Sequence, residues 1–250
     1  VNHAKRIVVV GATSAIAEHC CRLWVEREPV DLVLVARNRL RAERIAVDLR
    51  VRARQGTVRV ETVDFLSTPE VAALADRLSA EAPLDIVLIA QGMLPPQDLC
   101  QEDLAKVRET IDVNAVASAL FAEAFAKGMA QVGRGTLGLL GSVAGDRPRR
   151  ANYTYGASKA FMEAYATGLR HRFAGTAIKV VLIKPGPTDT PMAAAHKAVG
   201  RRLASVEEVA RGTVRALDLG KAVVYLPWKW WPIMTVFKLL PRFVFNRLDV

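Results

Sequence analysis

Arg6-Ile-Val-Val-Val-Gly-Ala-Thr-Ser-Ala-Ile-Ala17 is the stretch whose reading decides the fold. Its first half is a continuous β-branched run, of the kind buried on both faces inside a parallel sheet. Gly11 breaks the run, and a helical pattern follows through Cys21, Leu23, Trp24 and Val25. Strand, glycine turn and helix start together aim backbone N–H groups and a positive helix end at one point, which suits a phosphate. Of the three positions where a dinucleotide-binding turn carries glycine, only Gly11 has it. Ala15 and Ala17 stand at the others, and each brings a methyl group toward the pyrophosphate. Gly11, Thr13, Ser14, Ala15 and Ile16 are the candidate phosphate contacts.

Outward from this unit the same alternation repeats. Leu32 to Ala36, Val58 to Val63, Asp85 to Ala90, Gly135 to Gly141, Ile178 to Ile183 and Ala222 to Leu226 read as strands. Between them lie helical patterns: a charged one toward Arg54, one from Pro69 to Ala82, a long apolar one from Val107 to Met129, and one beginning near Tyr153. With no composition break and no internal repeat, residues 1–250 form one α/β domain. The expected architecture is a doubly wound parallel sheet of the Rossmann type with helices on both faces. Residues 228–250 add a basic, aromatic C-terminal tail.

Composition bounds the partners. The chain has 250 residues, 51% hydrophobic, and a formal net charge of +10, enough for a full core in a basic protein. Such charge serves nucleic acid, an anionic membrane or a phosphorylated ligand, or simply solubility; no nucleic-acid recognition motif accompanies it. Cys20, Cys21 and Cys100 are too few and too badly spaced for a disulfide framework or a zinc site, which fits a reducing, cytoplasmic setting. His3, His19, His171 and His196 lack ligand spacing, so no metal is expected. No signal-peptide pattern opens the sequence, and no apolar run reaches the ~20 residues that span a bilayer.

The strand ends carry the chemistry. Beyond Ala36, where an acidic residue would bind the ribose 2′-hydroxyl of NAD, stands Arg37; Asp31 lies at the other end of that strand, roughly 16 Å away. Arg37 suits a 2′-phosphate and favours NADP, unless it and Arg39 merely begin a charged helix. Asp64 and Phe65 end the third strand where an adenine rests, and Ala90-Gln91-Gly92 closes the fourth with a glycine that lets a backbone approach closely. Asn114 interrupts the apolar stretch Val113 to Leu120, and the bland reading is satisfaction by a neighbouring backbone group. Ser142 ends the fifth strand. Thirteen residues on, Tyr155 and Lys159 share one helix face, where an ammonium lowers a phenol's pKa and makes an acid/base pair. The bland alternative is an exposed helix with an aromatic and a lysine. Pro185-Gly186, with Thr188 and Thr190, forms a stiff turn after the sixth strand.

Gly11 with Ile16, Asp64, Asn114, Ser142, Tyr155, Lys159 and Pro185-Gly186 fall in the order and approximate spacing of the short-chain dehydrogenase/reductase family. The chain resembles that family over nearly its whole length. The resemblance implies an NADP-dependent oxidoreductase in which Tyr155 donates a proton to a substrate carbonyl and Ser142 hydrogen-bonds its oxygen. It further implies that Lys159 lowers the Tyr155 pKa and holds the nicotinamide ribose, and that Asn114 anchors a water relay. Thr188 and Thr190 match positions holding the carboxamide and diphosphate. A homo-oligomer, dimer or tetramer, is expected. Ala15, Ala17 and Ala90-Gln91-Gly92 depart from the usual pattern and leave the detail of cofactor contacts open.

A narrower likeness rests on Ser142 to Tyr155 and on the tail. Both are similar to bacterial reductases of polyprenyl-phosphate-linked 2-keto pentoses (decaprenylphosphoryl-2-keto-pentose reductases) in arabinan synthesis. In the tail, Trp228, Trp230, Trp231, Ile233, Met234, Phe237, Leu239, Leu240, Phe243 and Phe245 alternate with Lys229, Lys238, Arg242 and Arg247. Such a segment suits a headgroup interface, and Pro227, Pro232 and Pro241 forbid a simple spanning helix. It equally suits a lid packed on its own or a neighbouring subunit. Arg147, Arg149 and Arg150 are placed to flank the substrate cleft, or lie on a solvated loop. Three readings stay open: a reductase of a lipid-linked or other amphiphilic carbonyl, a reductase of small soluble ketones or acyl thioesters, and a non-catalytic nucleotide sensor.

Overall fold

Among the described residues, seven parallel strands order themselves β3-β2-β1-β4-β5-β6-β7 in one sheet. The structure, a computed structural model, describes residues 4–53, 55–194, 200 and 202–248. The chain runs β1 (Lys5–Val10), α1 (Ala15–Arg27), β2 (Val30–Ala36), α2 (Arg39–Arg52), β3 (Gly56–Thr62), α3 (Thr68–Glu81) and β4 (Ile86–Ile89). Then follow α4 (Gln97–Glu102), α5 (Leu104–Ile111), a π turn (Asp112–Val116), α6 (Ala117–Val132), β5 (Arg134–Leu140) and α7 (Tyr153–Arg172). The last elements are β6 (Ala177–Pro185), α8 (Val206–Leu219), β7 (Val223–Leu226), α9 (Trp230–Leu239) and α10 (Arg242–Phe245).

The β-branched run of β1 is explained by its place at the centre of the sheet, where Val9 pairs with Leu34 on one side and Leu88 on the other. Alternate residues feed two cores. Val8 and Val10 join Phe121, Phe125, Leu137 and Met162 on one face, while Ile7 and Val9 join Trp24, Leu49 and Leu217 on the other. Each such large side chain is worth roughly 1.5–3 kcal/mol when buried. The strand order reverses direction between β1 and β4, and a crevice opens outside the carboxyl ends there.

The apolar pattern from Val107 to Met129 is not one helix. It divides into α5, the π turn and α6, with the Ala117 N–H reaching back to the Asp112 carbonyl. The extra residue in that turn carries Asn114 to full burial, facing the ends of the strands. The tail also breaks, at Pro241, into α9 and α10. Among the described residues no helix is long and apolar enough to cross a membrane. His3 and His196 lie outside the described residues, as does Arg54.

Candidate active site

The crevice at the reversal point is a cleft of about 540 Å³. At its base, Gly11 holds a left-handed φ of 74° and lies so close to the next strand end that an added Cβ would meet the Gln91 nitrogen at 2.4 Å. Its N–H and that of Ala12 donate to the Val35 carbonyl at 2.9 and 3.2 Å. Only glycine fits there. The departures at Ala15 and Ala17 then have a simple reason. Ala17 is fully buried in the core between α1 and the sheet, which absorbs its methyl, while Ala15 stands at the cleft wall with Thr13, Ser14 and Ile16. Ser14 caps α1 without a side-chain hydrogen bond, so the first N–H groups of this 13-residue helix face the cleft without that cap.

At the outer end, the Arg37 guanidinium lies 5.7 Å from the centroid of the Phe65 ring, which is itself edge-on to Phe121. Asn38 and Arg41 share this wall, whereas Arg39 turns to Glu43 at 3.8 Å. Arg41 was not anticipated, although its spacing of four from Arg37 was a usable signal. Asp64 stays outside the cleft wall. Its carboxylate accepts the Leu66 N–H and its own N–H donates to Glu70, so it shapes the turn that delivers Phe65.

The inner end gathers the remaining candidates. Asn114 accepts the Met93 N–H (2.8 Å) and donates to the Met93 carbonyl (2.9 Å) and to Ser158 (3.1 Å). Its amide thereby ties the π turn to the loop after β4 and to α7, and Asn114 itself stays behind the cleft wall. A side chain at Gly92 would meet Asn114 Oδ1 at 3.2 Å and Lys159 Nζ at 3.5 Å, so the glycine keeps that space open. Gln91 donates to Ser118, and its Oε1 is buried with no hydrogen-bond partner among the described residues. Ala90, Pro185, Gly186, Thr188 and Thr190 complete the wall, Thr188 donating to the Gly186 carbonyl at 2.9 Å.

Tyr155, Ser142 and Lys159 meet on this wall, as the spacing predicts. One expectation is reversed. Burial raises the Tyr155 phenol pKa, and the hydrogen bond with Ser142 offsets that only in part. Lys159 does not supply the lowering. Its amine donates to the Leu140 carbonyl at 2.9 Å, lies 5.8 Å from the phenol ring centroid, and is itself pushed down to about 8 by burial.

The three arginines after Ser142 separate. Arg149 lines the cleft, beside Asn152, whose buried Oδ1 has no hydrogen-bond partner among the described residues; Arg150 does not line it. Arg147 turns the other way, into the tail. Asn152 was not anticipated, because asparagine at a helix start reads as an ordinary cap. Among the described residues no cluster of His, Cys, Asp or Glu suits a metal. Cys20, Cys21 and Cys100 are buried free thiols, and burial pushes Cys21 up.

The chain matches the short chain dehydrogenase family over residues 5–199. It is 31% identical over 249 residues to an uncharacterized oxidoreductase of Mycobacterium tuberculosis, covering 98% of this chain and 97% of the relative. An uncharacterized oxidoreductase of Streptomyces coelicolor is 30% identical over 98% of this chain and 96% of its own length. Among solved structures, a short-chain dehydrogenase from Sphingobium yanoikuyae in complex with NADPH superimposes with a TM-score of 0.81 at 24% identity, over 95% of this chain and 97% of that one.

Proposed function

The chain belongs to the short chain dehydrogenase family, and from that membership we propose that it is an NADP(H)-dependent reductase of a carbonyl on a lipid-linked keto-sugar or similar amphiphile. The observation that carries the chemistry is the meeting of Ser142, Tyr155 and Lys159 in the same cleft as Arg37 and the start of α1. The residues fit the dinucleotide: uncapped N–H groups for the diphosphate, Arg37 and Arg41 for a 2′-phosphate, and open space at Gly92. The structural neighbour that carries NADPH supports the same cofactor. When bound, the reduced nicotinamide supplies the hydride.

Tyr155 gives its phenolic proton to the carbonyl oxygen as that oxygen becomes an alcohol, and Ser142 holds the oxygen against it. A raised phenol pKa keeps the proton in place at neutral pH, which suits the reducing direction. Lys159, held by the Leu140 carbonyl, would hold the nicotinamide ribose, and Asn114, which braces the π turn, would anchor the water that resupplies the proton.

The substrate class rests on two features. Asn152 brings an unpaired acceptor to the wall beside Tyr155, with Arg149 on the same wall, which suits a hydroxylated, anionic substrate. Outside, Trp228, Trp231, Leu239 and Phe243 are exposed among Lys229, Lys238 and Arg242, a composition suited to an anionic lipid surface. The exposed Ile111, Val116 and Phe161 on α5, the π turn and α7 support a homo-oligomer. The test compares NADPH oxidation with a polyprenyl-phosphate-linked 2-keto pentose in vesicles and with soluble ketones and acyl thioesters, in wild type and in Trp228→Ser/Trp231→Ser. Substitution is preferable to deleting the tail, since Met234 and Trp230 pack inward. The expected result is activity on the vesicle-borne substrate, lost in the double variant. Equal activity on soluble ketones in both proteins would replace this reading with a soluble reductase whose tail is a lid.

A further inference from the structure

The loop between Ser142 and α7 is held from two sides. On the inner side it lies on the backbone of α7 around Tyr155. An added Cβ at Gly145 would meet the Lys159 carbonyl carbon at 2.8 Å, and one at Gly156 would meet the Ala144 oxygen at 3.0 Å. On the outer side Arg147 donates to the carbonyls of Phe237 (2.5 Å) and Leu240 (2.6 Å), at the end of α9, and its guanidinium lies 3.8 Å from the centroid of the Phe245 ring. The last carbonyls of a helix lack partners within it, and a cation there also meets the negative end of the dipole.

The Asp146 carboxylate next to it is fully buried, ion-paired to Lys184, and accepts the Tyr225 hydroxyl at 3.1 Å; Lys238 of α9 lies 3.6 Å away. Lys184 in turn pairs with Glu163 of α7 at 2.7 Å. The loop is thus bound through successive residues to the tail, the sheet and the Tyr155 helix. Between Ser142 and Arg147 there is no slack: Ser142 Oγ accepts the Ala144 N–H (3.1 Å), its carbonyl accepts the Gly145 N–H (3.1 Å), and Asp146 N–H reaches Val143 (3.2 Å). A displacement at Arg147 therefore travels along a closed turn to Ser142. The tail is fixed at its other end as well, with Trp230 seated on Gly186, where an added Cβ would meet its Nε1 at 1.9 Å.

We propose that Arg147 is a positioning residue for the reaction: by gripping the end of α9 it clamps the 142–150 loop and holds Ser142 against Tyr155. This rests on the assignment of Ser142 and Tyr155 as the reacting pair. It makes the tail part of the active site in addition to any outer partner.

The test uses the full-length enzyme with NADPH and its best carbonyl substrate, in wild type, Arg147→Ala, Arg147→Lys, Phe245→Ala and Ser142→Ala. Arg147→Ala should lower turnover roughly 10- to 100-fold, the cost of a small misplacement at a reacting group. It should leave the NADPH dissociation constant within about twofold, since no cofactor contact is removed. Losing the Ser142 hydrogen bond lets the Tyr155 pKa rise, so the Tyr155 limb of the kcat/KM profile should move to higher pH in Arg147→Ala, in the same direction as in Ser142→Ala. Lys159, the other titratable group against Tyr155, is untouched. Arg147→Lys keeps the charge without the plane and should recover part of the loss, and Phe245→Ala should show a weaker form of it.

Amide hydrogen exchange over 142–150 should quicken in Arg147→Ala and return toward wild type in Arg147→Lys. Lower thermal stability with an unmoved limb and unchanged exchange in that loop would overturn the proposal. A wild type inert toward every carbonyl would sink the functional reading instead, and the exchange arm would still decide whether Arg147 holds the loop.

Discussion

On one side of the cleft, Gly11, Arg37 and Gln91 sit at the ends of three adjacent strands whose register is fixed by pairs such as Val10 with Val35 and Val10 with Ile89. On the other side, Ser142 and Gly186 also follow strands, yet they are held by Arg147, Asp146 and Trp230 through contacts with β7 and the tail, from 44 to 93 residues apart in sequence. The first wall is built from backbone, so it tolerates Ala15 and Ala17 where glycine is usual and demands glycine only where two backbones touch. The second is built from individual side chains, each carrying a contact that another residue type would lose. Binding a cofactor needs the first kind of wall, and aligning a proton donor with a variable substrate needs the second.

The largest expected effect separates the two walls. Tyr155→Phe removes the transferable proton while keeping the ring, so turnover should fall by about 10²–10⁴-fold. The NADPH dissociation constant, read by fluorescence titration, should stay near the wild-type value because the β1, β2 and β4 ends are unchanged. If affinity falls together with turnover, the walls act as one unit and the distinction fails.

The reverse experiment alters the first wall only. Arg37 lies over Phe65 at the β2 end, and Glu18 of the same cleft lining is paired with Arg22 at 2.6 Å. Arg37→Asp should weaken NADPH by roughly 10- to 100-fold, the value of a lost charge-assisted pair, while NADH changes little and turnover at saturating cofactor is kept. Equal shifts for both cofactors would move the reading of the 2′-phosphate to another group, with Arg41 the first candidate on the same wall.

The same contrast explains what could be read in the sequence. The run Arg6 to Ala17, the strand pattern and the Tyr155–Lys159 spacing are local signals, and the seven-stranded sheet and the meeting of Ser142, Tyr155 and Lys159 follow from them. The π turn at Asn114 was hidden because an apolar stretch looks helical whether its bonds span four residues or five. Arg147 read as a substrate-facing cation because its partners are backbone carbonyls, which no pattern announces. Asp146 and Lys184 form a buried pair 38 residues apart, and in the sequence Lys184 reads only as the residue after the sixth strand. An ammonium four residues from a phenol reads in sequence as lowering the phenol pKa, and the spacing carries no sign of the desolvation that both groups share.

The smallest effect sharpens the contrast by titration. In the second wall Lys159 is pushed down to about 8 by burial, from an ordinary value of 10.5, so it changes charge within reach of experiment. A depressed folded-state pKa means that the folded chain holds this proton less tightly than the unfolded one. The associated cost is therefore complete below about 8 and disappears as pH rises toward 10.5. For the cofactor the sign is opposite, because the ammonium is the form that attracts an anionic dinucleotide. The kcat/KM for NADPH should thus fall above pH 8, by only about three- to tenfold, because the neutral amine still donates a hydrogen bond. Lys159→Met should be weaker throughout and flat across that range, whereas Arg37→Asp should keep the limb. A limb that persists in Lys159→Met would assign it to another group and return Lys159 to a purely structural tie between Leu140 and α7.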